Sequence, residues 1–440
     1  MKFFHQQIGV LSVLGGLLVL GIVLIGRLPQ SLYKHPEYYL PAFGACFAVY
    51  CTAVVLVFKH KWDEKPVLWT IIAVALACRL AALVQPPSLS TDIYRYLWDG
   101  RINALGMNPY RYPPIAREMR PYRTWYWDTI NHKKMVTMYP PLSQSFFLAV
   151  NRIAGERVFA YKTAFVLMDL ITLGLVFWLL KVAGKPSSLA LIYAWHPLVV
   201  MEIAGNGHQD ALGIMLMTAA VLAAGLELSR KDGGKLSALA GFLVGLSIMA
   251  KGYVAAAVPI FARRRPLVFL GFVALAVVPL VGLYWGNGVI MQGLEQYMKN
   301  RIRNASLFDW TNQLLQHFTK DHLKLTRMMA AAALLAVVGR MAVKPASGLE
   351  DLAGRVMASV GALFLLSHTV YPWYAMWLIP LLCVSFSPGW FLFTGLVSMA
   401  YLNPVPHVNP WVMKVEYPPV LLLLAWEAFR KRLKQKTDRR

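Results

Sequence analysis

PVLWTIIAVALACRLAALV (Pro66–Val84) is an apolar run interrupted by one cation, Arg79. Its length matches the roughly 20 residues that a helix needs to cross a hydrocarbon core about 30 Å thick. A few residues later the chain changes character. STDIYRYLWDGRINALGMNPYRYPP (Ser90–Pro114) sets carboxylates, arginines, aromatic rings and a Pro-rich end at the mouth of that helix. A span that opens onto such a loop predicts a membrane protein with its chemistry at one face.

Similar apolar runs recur along the 440 residues, which are 58% hydrophobic and 15% charged, with mean hydropathy +0.50. These charges are too few to cover a soluble globule of that size. The sequence therefore predicts an all-α polytopic membrane protein, a bundle of about 13–14 transmembrane helices. The count turns on Leu236–Ala262, where Lys251-Gly252 would split the segment into two short helices that enter and return. The first run, Ile8–Gly26, reads as a retained helix, because no small-residue cleavage site follows it. Cys46, Cys51, Cys78 and Cys383 lie in apolar runs at no metal-ligand spacing and read as small core residues.

The net charge of +23 does not signal a nucleic-acid partner, because much of it sits in short loops. Lys59–Lys65, Lys181–Lys185, Arg230–Lys235, Arg263–Arg265, Arg340–Lys344 and the tail Arg430–Arg440 are all basic. Short basic loops stay in the cytoplasm. Threading the spans between them predicts a multi-pass protein of the cell inner (plasma) membrane with both termini inside. Two long loops, about 85–140 and 286–323, then face outward. The first carries eight Lys/Arg, against the charge rule, but that rule weakens as loops approach about 60 residues. With no repeat or linker in sight, residues 1–430 read as one integral membrane domain and 431–440 as a basic cytoplasmic tail.

Within the first loop, spacings of three and four put Asp92, Arg95, Tyr96 and Asp99 on adjacent helical turns. A carboxylate there suits a base toward a hydroxyl, and arginines suit phosphate. Aromatic rings such as Tyr96 and Tyr139 suit sugar faces, but equally an interfacial belt. The plain structural alternative for Asp92 is an ion pair with Arg95. WHPLVVMEIAGNGHQDAL (Trp195–Leu212) brings His196, Glu202, His208 and Asp210 to another helix end. Lys251 sits at the helix break, and HTVYPWYAMWLIPLL (His368–Leu382) caps a further span with His368, Tyr371 and Trp373. Ionisable groups at membrane depth are costly and usually serve a site or pair with one another. Gathered at the ends of several spans, they point to one shared cavity. No H-E-x-x-H, phosphate-binding loop, nucleophile elbow or dinucleotide fingerprint occurs. No metal ligand and no cofactor is assigned, although the histidines near Asp210 leave a divalent cation open.

TDIYRYLWDGR (Thr91–Arg101), GMNPYRYPP (Gly106–Pro114) and INHKKMVTMYPPLSQ (Ile130–Gln144) resemble the first outer loop of bacterial GT-C superfamily membrane glycosyltransferases. They are most similar to the polyprenyl-phosphate-mannose-dependent mannosyltransferases. The Trp195–Leu212 stretch, the Lys251-Gly252-Tyr253 break and His368–Leu382 continue the resemblance in order, from about Arg79 to Leu382. It implies transfer of a hexose, expected to be mannose, from a polyprenyl-monophosphate donor to a hydroxyl of a glycan or glycolipid acceptor on the outer membrane face. It also implies an acidic base in the first outer loop, where Asp92 is the matching position. Many relatives carry two adjacent acids there. Thr91-Asp92 offers one, which weakens a metal-bridging role and leaves the base role intact.

On that footing Lys251, Arg95, His208 and His368 are the candidates for donor phosphate. Tyr96, Asp99, Arg101, Tyr139, Glu202, Asp210, Tyr371 and Trp373 are the candidates for substrate contact. Asp99 and Arg101 are equally placed to hold the loop's own fold, and Glu202 and Asp210 to orient His208 or Lys251. A phosphate leaving group needs cations rather than a strong acid, and a single displacement would invert the anomeric centre, as in inverting glycoside hydrolysis. The rival class is a transporter or flippase of lipid-linked sugars, which broken helices would also suit. Against it, the two halves show no repeat.

Overall fold

The computed structural model describes residues 2–29, 31–60, 62, 64–229, 234–286, 290–299, 302–403 and 410–437. Helix makes up 76% of the chain, and no strand forms among the described residues. The expected all-α polytopic architecture is the one observed. Parts of the basic loops (Lys61, Asp63, Arg230–Gly233 and Asp438–Arg440) and of the second long loop (287–289 and 300–301) lie outside the described residues.

Three apolar helices, α1 (Lys2–Ile25), α2 (Pro36–His60) and α3 (Lys65–Leu83), open the chain, with α1 packed against the other two. Amphipathic α4 (Asp92–Ala104) begins the first long loop, which ends in α5 (Pro141–Ala154); apolar α6 (Val158–Val182) follows. The next segment is broken. It holds α7 (Leu191–Ala194) and α8 (Pro197–Val199), which runs into a π-helical turn, Val200–Gly205, with a 50° bend between its two halves. Then come α9 (Asp210–Ser229) and α10 (Lys235–Ala250). The break expected at Lys251-Gly252 is present. Lys251 is extended, at φ −164° and ψ 113°, and a 3-10 turn, Gly252–Ala257, leads into α11 (Val258–Phe261).

The remainder comprises α12 (Pro266–Gly282), α13 (Gln292–Lys299), α14 (Leu307–Leu315), α15 (His322–Ala342) and α16 (Leu349–Leu366). A 3-10 turn, Pro372–Leu378, then precedes α17 (Ile379–Val384), α18 (Pro388–Leu396) and α19 (Pro410–Thr437). Proline opens α2, α5, α8, α12, α18 and α19. Its missing N–H is no loss in a first turn, and its fixed φ suits helix entry.

Among the described residues, six helices are long and apolar enough to cross a membrane, or seven if the bent pair Ser187–Ala194 and Pro197–Gly205 is one span. This is fewer than the expected 13–14. The reason lies in breaks that hydropathy does not register: Lys235–Ala250, Gly252–Phe261, Pro266–Gly282, Pro372–Val384 and Pro388–Leu402 are apolar but short. Cys46, Cys78 and Cys383 are buried free thiols, and Cys51 is half-buried.

Two buried cations hold the exit of α3, where the first long loop begins. Arg79 grips Asp169 of α6 at two points, 2.5 and 3.2 Å, and donates to the Ala194 carbonyl at 2.7 Å. The Tyr193 hydroxyl also donates to Asp169, at 2.6 Å. A charge at membrane depth is tolerable when paired this fully. Lys162 of α6 donates to the carbonyls of Ala82, Leu83 and Gln85 at 3.2, 2.8 and 2.5 Å. These carbonyls lie at or just beyond the last turn of α3, so the ammonium closes its C-terminal end.

Candidate active site

Asp92 is the first residue of α4 and keeps about a fifth of its side chain exposed, 20%. Its amide donates to Ser90 Oγ at 3.2 Å, and its Oδ1 accepts a short hydrogen bond from Asn131. A carboxylate at a helix N-terminus also lies at the favourable end of the backbone dipoles. α4 is seated by α5, and the two cross closely at Gly100. A Cβ there would stand 2.7 Å from the Phe147 carbonyl oxygen and 2.3 Å from the Tyr161 hydroxyl.

Behind Asp92 lies His208, fully buried. Its Nδ1 is 3.9 Å from Asp92 Oδ2 and its Nε2 is 3.3 Å from Glu202 Oε2, and neither approach is a well-formed hydrogen bond. Glu202 sits in the π-helical turn, a device that recurs at functional sites. Its other oxygen accepts from the Tyr401 hydroxyl at 2.6 Å. His208 reaches this position through the turn at Gly207, whose φ of +74° favours glycine. Asn206 ties the same turn to the start of the first long loop, accepting from the amides of Ser88 and Leu89 at 3.1 and 2.8 Å.

The His208 ring stacks on Trp373 (4.0 Å between centroids, 20°), and Trp373 stacks on Tyr371 (4.5 Å, 12°). The Arg303 guanidinium lies over Tyr371, 5.0 Å from the ring centre. A continuous row of rings thus runs from the Asp92–His208 pair to a cation of the second long loop. His368 flanks that cation: its carbonyl accepts from the Arg303 amide at 2.9 Å.

A second charged group adjoins the first. Lys251, 15% exposed, places Nζ 2.6 Å from Asp210 Oδ2, while the Trp377 indole donates to Asp210 Oδ1 at 2.9 Å. The ammonium lies 5.2 and 5.6 Å from the ring centres of Tyr374 and Tyr253. Tyr96 spans the two groups. Burial, then the Asp92 and Asp210 carboxylates, hold its phenol well above the ordinary tyrosine range. Tyr139 meets Tyr96 edge to face at 5.0 Å, and burial followed by the Asp92 charge raises its phenol as well.

Other candidates are engaged by partners away from Asp92. Arg95 makes no ion pair with Asp92. It is buried and pairs with Asp99 at 2.9 Å, one turn on, and donates to the carbonyls of His132 and Met135 at 3.3 and 3.2 Å. Asp99 in turn accepts from Thr137 at 2.6 Å and Gln144 at 3.1 Å. Four-residue spacing aligned Arg95 with Asp99 better than three-residue spacing aligned it with Asp92. Arg101 pairs with Glu156, which also accepts from the Tyr126 hydroxyl at 2.7 Å. His196 is separate: buried beside Tyr50, it contacts Thr394 Oγ1 at 2.8 Å and accepts from the Leu198 amide at 3.2 Å. Among the described residues, no three His, Cys, Asp or Glu side chains are grouped to hold a metal ion.

Sequence reasoning passed over Arg303, Asn131, Asn206, Tyr401 and Trp377. Each lies far along the chain from its partner here or carries no charge, so spacing gave no signal.

The model of the family described as alpha-(1->6)-mannopyranosyltransferase, N-terminal domain, matches residues 10–278. That range holds Asp92, Glu202, His208, Asp210 and Lys251; Arg303, His368, Tyr371 and Trp373 lie beyond it. A probable alpha-(1->6)-mannopyranosyltransferase of Mycolicibacterium smegmatis is 24% identical over 75% of this chain and 66% of its own length. An alpha-(1->6)-mannopyranosyltransferase of Mycobacterium tuberculosis is 26% identical over 32% of this chain and 25% of its own length. The chain thus spans less than two thirds of the length of each of these relatives in the matched region. No solved structure matches. The family match covers more than half of the sequence, and the chain belongs to the alpha-(1->6)-mannopyranosyltransferase family.

Proposed function

We propose that this protein is an inverting hexosyltransferase that moves mannose from a polyprenyl-monophosphate donor to a hydroxyl of a glycan or glycolipid acceptor. In this reading residues 1–430 form one integral membrane domain, both termini are cytoplasmic, and the long loops face outward from the plasma membrane. Family membership and the names of the relatives support mannosyl transfer. The observation that carries the mechanism is Asp92: a partly exposed carboxylate beside buried His208, at the entrance to a cluster whose other acids are fully buried.

The acceptor oxygen attacks the anomeric carbon while its proton passes to Asp92. The bond from that carbon to the phosphate oxygen breaks, and the polyprenyl monophosphate leaves with the electron pair. A β-linked mannosyl phosphate then yields an α-mannoside. A hydroxyl is a poor nucleophile, so a positioned carboxylate is worth about 10²–10⁴-fold. The leaving phosphate requires charge stabilisation instead of protonation, and Lys251, a partly exposed ammonium beside Asp210, is placed to supply it. Flat faces such as Trp373 suit a sugar ring, apolar on its face and polar at its edge.

Purified protein given a short-chain polyprenyl-phosphate mannose and a mannoside acceptor tests this reading. Formation of an α-linked product is the expected result. Movement of the donor across a vesicle membrane with no new glycosidic bond would replace the enzyme with a flippase.

A further inference from the structure

The turn that presents Arg303 is an unusual piece of backbone. Asn304, the next residue, has φ +49°, the left-handed region where asparagine is among the few side chains commonly found. It is completely buried, and so is Glu416 of α19. The Asn304 Nδ2 donates to both Glu416 oxygens at 3.1 Å, and the Tyr417 hydroxyl donates to the Asn304 carbonyl at 2.7 Å. Asn403 closes the ring, donating to Asn304 Oδ1 at 3.2 Å. Among the described residues Glu416 makes no ion pair, so a buried carboxylate is committed here to an uncharged amide.

Such a carboxylate is costly to bury, and what it secures is the direction of its neighbour. The Arg303 amide and carbonyl are pinned to His368 and Val370, each at 2.9 Å. The Arg303 Nη2 donates to the Asn403 carbonyl at 2.7 Å. Its guanidinium caps the ring row at Tyr371, and its Nε is buried with no hydrogen-bond partner.

We propose that Glu416 and Asn304 form a latch that aims Arg303 along the Tyr371–Trp373–His208 row, and that Arg303 receives the anionic phosphate of the lipid donor. A planar guanidinium with a free N–H suits a phosphate oxygen better than a point-charge ammonium does. The latch joins α19 to the site, so a helix outside the family match would govern donor capture. This rests on the reading of the site as a polyprenyl-phosphate-dependent transferase.

A short-chain polyprenyl monophosphate and the matching free polyprenol, each titrated into the purified full-length protein, test both parts. The wild type should prefer the monophosphate. Arg303→Ala should weaken monophosphate binding by at least about tenfold and leave the alcohol unchanged, with Arg303→Lys recovering part of the loss. Glu416→Gln and Asn304→Gly should each weaken it several-fold and, in transfer assays, raise the donor KM with kcat and the acceptor KM little altered. Because glycine accepts the left-handed backbone, Asn304→Gly carries the test if Glu416→Gln does not fold.

Monophosphate binding by Arg303→Ala within twofold of wild type would overturn the phosphate assignment. A loss in Arg303→Ala with none in Asn304→Gly would overturn the latch. The underlying transferase reading fails separately, if the wild-type protein binds the monophosphate but forms no glycosidic bond from polyprenyl-phosphate mannose and a mannoside acceptor.

Discussion

His208 Nδ1 stands 3.9 Å from Asp92 Oδ2, with Glu202 3.3 Å beyond the opposite ring nitrogen. An imidazole held between two carboxylates joins the first long loop to the broken segment. It leaves Asp92 as the acid of this array that also meets solvent. The expected consequences begin there.

Asp92→Asn preserves size and can still meet Asn131, but it removes the basic oxygen. We expect donor binding to persist and transfer to fall by at least about a hundredfold. Its contact with Asn131 survives the change, and one neutral hydrogen bond is worth only about 1 kcal/mol, so a purely structural Asp92 predicts a small loss. Single-turnover transfer by the variant within a few-fold of wild type would remove Asp92 as the base.

Lys251 and Asp210 call for a double substitution. Lys251→Met strands a fully buried carboxylate, and breaking such a pair costs about 3–5 kcal/mol, so thermal stability in detergent should drop. Adding Asp210→Asn removes the stranded charge and keeps an acceptor for Trp377, and stability should return. If Lys251 binds donor, the double variant remains poor in donor use although it is stable. Restored kinetics would make the pair structural only.

Gly207→Ala should be among the more damaging single-methyl changes. The added Cβ would sit 2.5 Å from Ile93 Cδ1 and 3.1 Å from Lys162 Cγ, on a backbone at φ +74°. Lys162 is tethered to three carbonyls and cannot yield easily. A destabilisation of about 1–3 kcal/mol and a displaced His208 are expected. Gly44→Ala, which meets nothing within 4 Å, is the control. Equal melting temperatures and activities for the two variants would contradict this account of the turn.

The proposed orientation rests on the basic short loops and is checked by labelling. Trp125, 77% exposed in the first long loop, and Lys344, exposed in a basic loop, are suitable cysteine positions. Trp125→Cys should react with an impermeant thiol reagent in intact cells, and Lys344→Cys only after permeabilisation. Ser306 is unsuitable, being fully buried and bonded to the Leu365 carbonyl at 2.9 Å. The reverse labelling pattern would place the site in the cytoplasm.

Residue by residue, local signals were read well from the sequence alone. Hydropathy over a window the width of a bilayer is a property of contiguous residues, so the all-helical membrane class followed directly. The break at Lys251-Gly252 is likewise local. So is the chemical character of the polar residues at helix ends, which separated Asp92, His208 and Lys251 from the greasy background. The span count was less legible, because hydropathy averages across breaks such as the turn at Pro372 that shorten the helices.

What only the tertiary structure decided was which of those groups meet. Arg95 had two acids within helical reach, and the choice of Asp99 came from the rotation of α4 against the His132 and Met135 carbonyls. Arg79 was visible as a charge in an apolar run, yet only the packing of α3 on α6 pairs it with Asp169. Arg303 and Glu416 gave no pattern at all, since the Asn304 turn that relates them draws on residues about a hundred positions apart. Hydropathy and helix periodicity reach a few turns along a chain. Close approach across a bundle depends on how side chains far apart in sequence fill one another's space, and no local spacing encodes that.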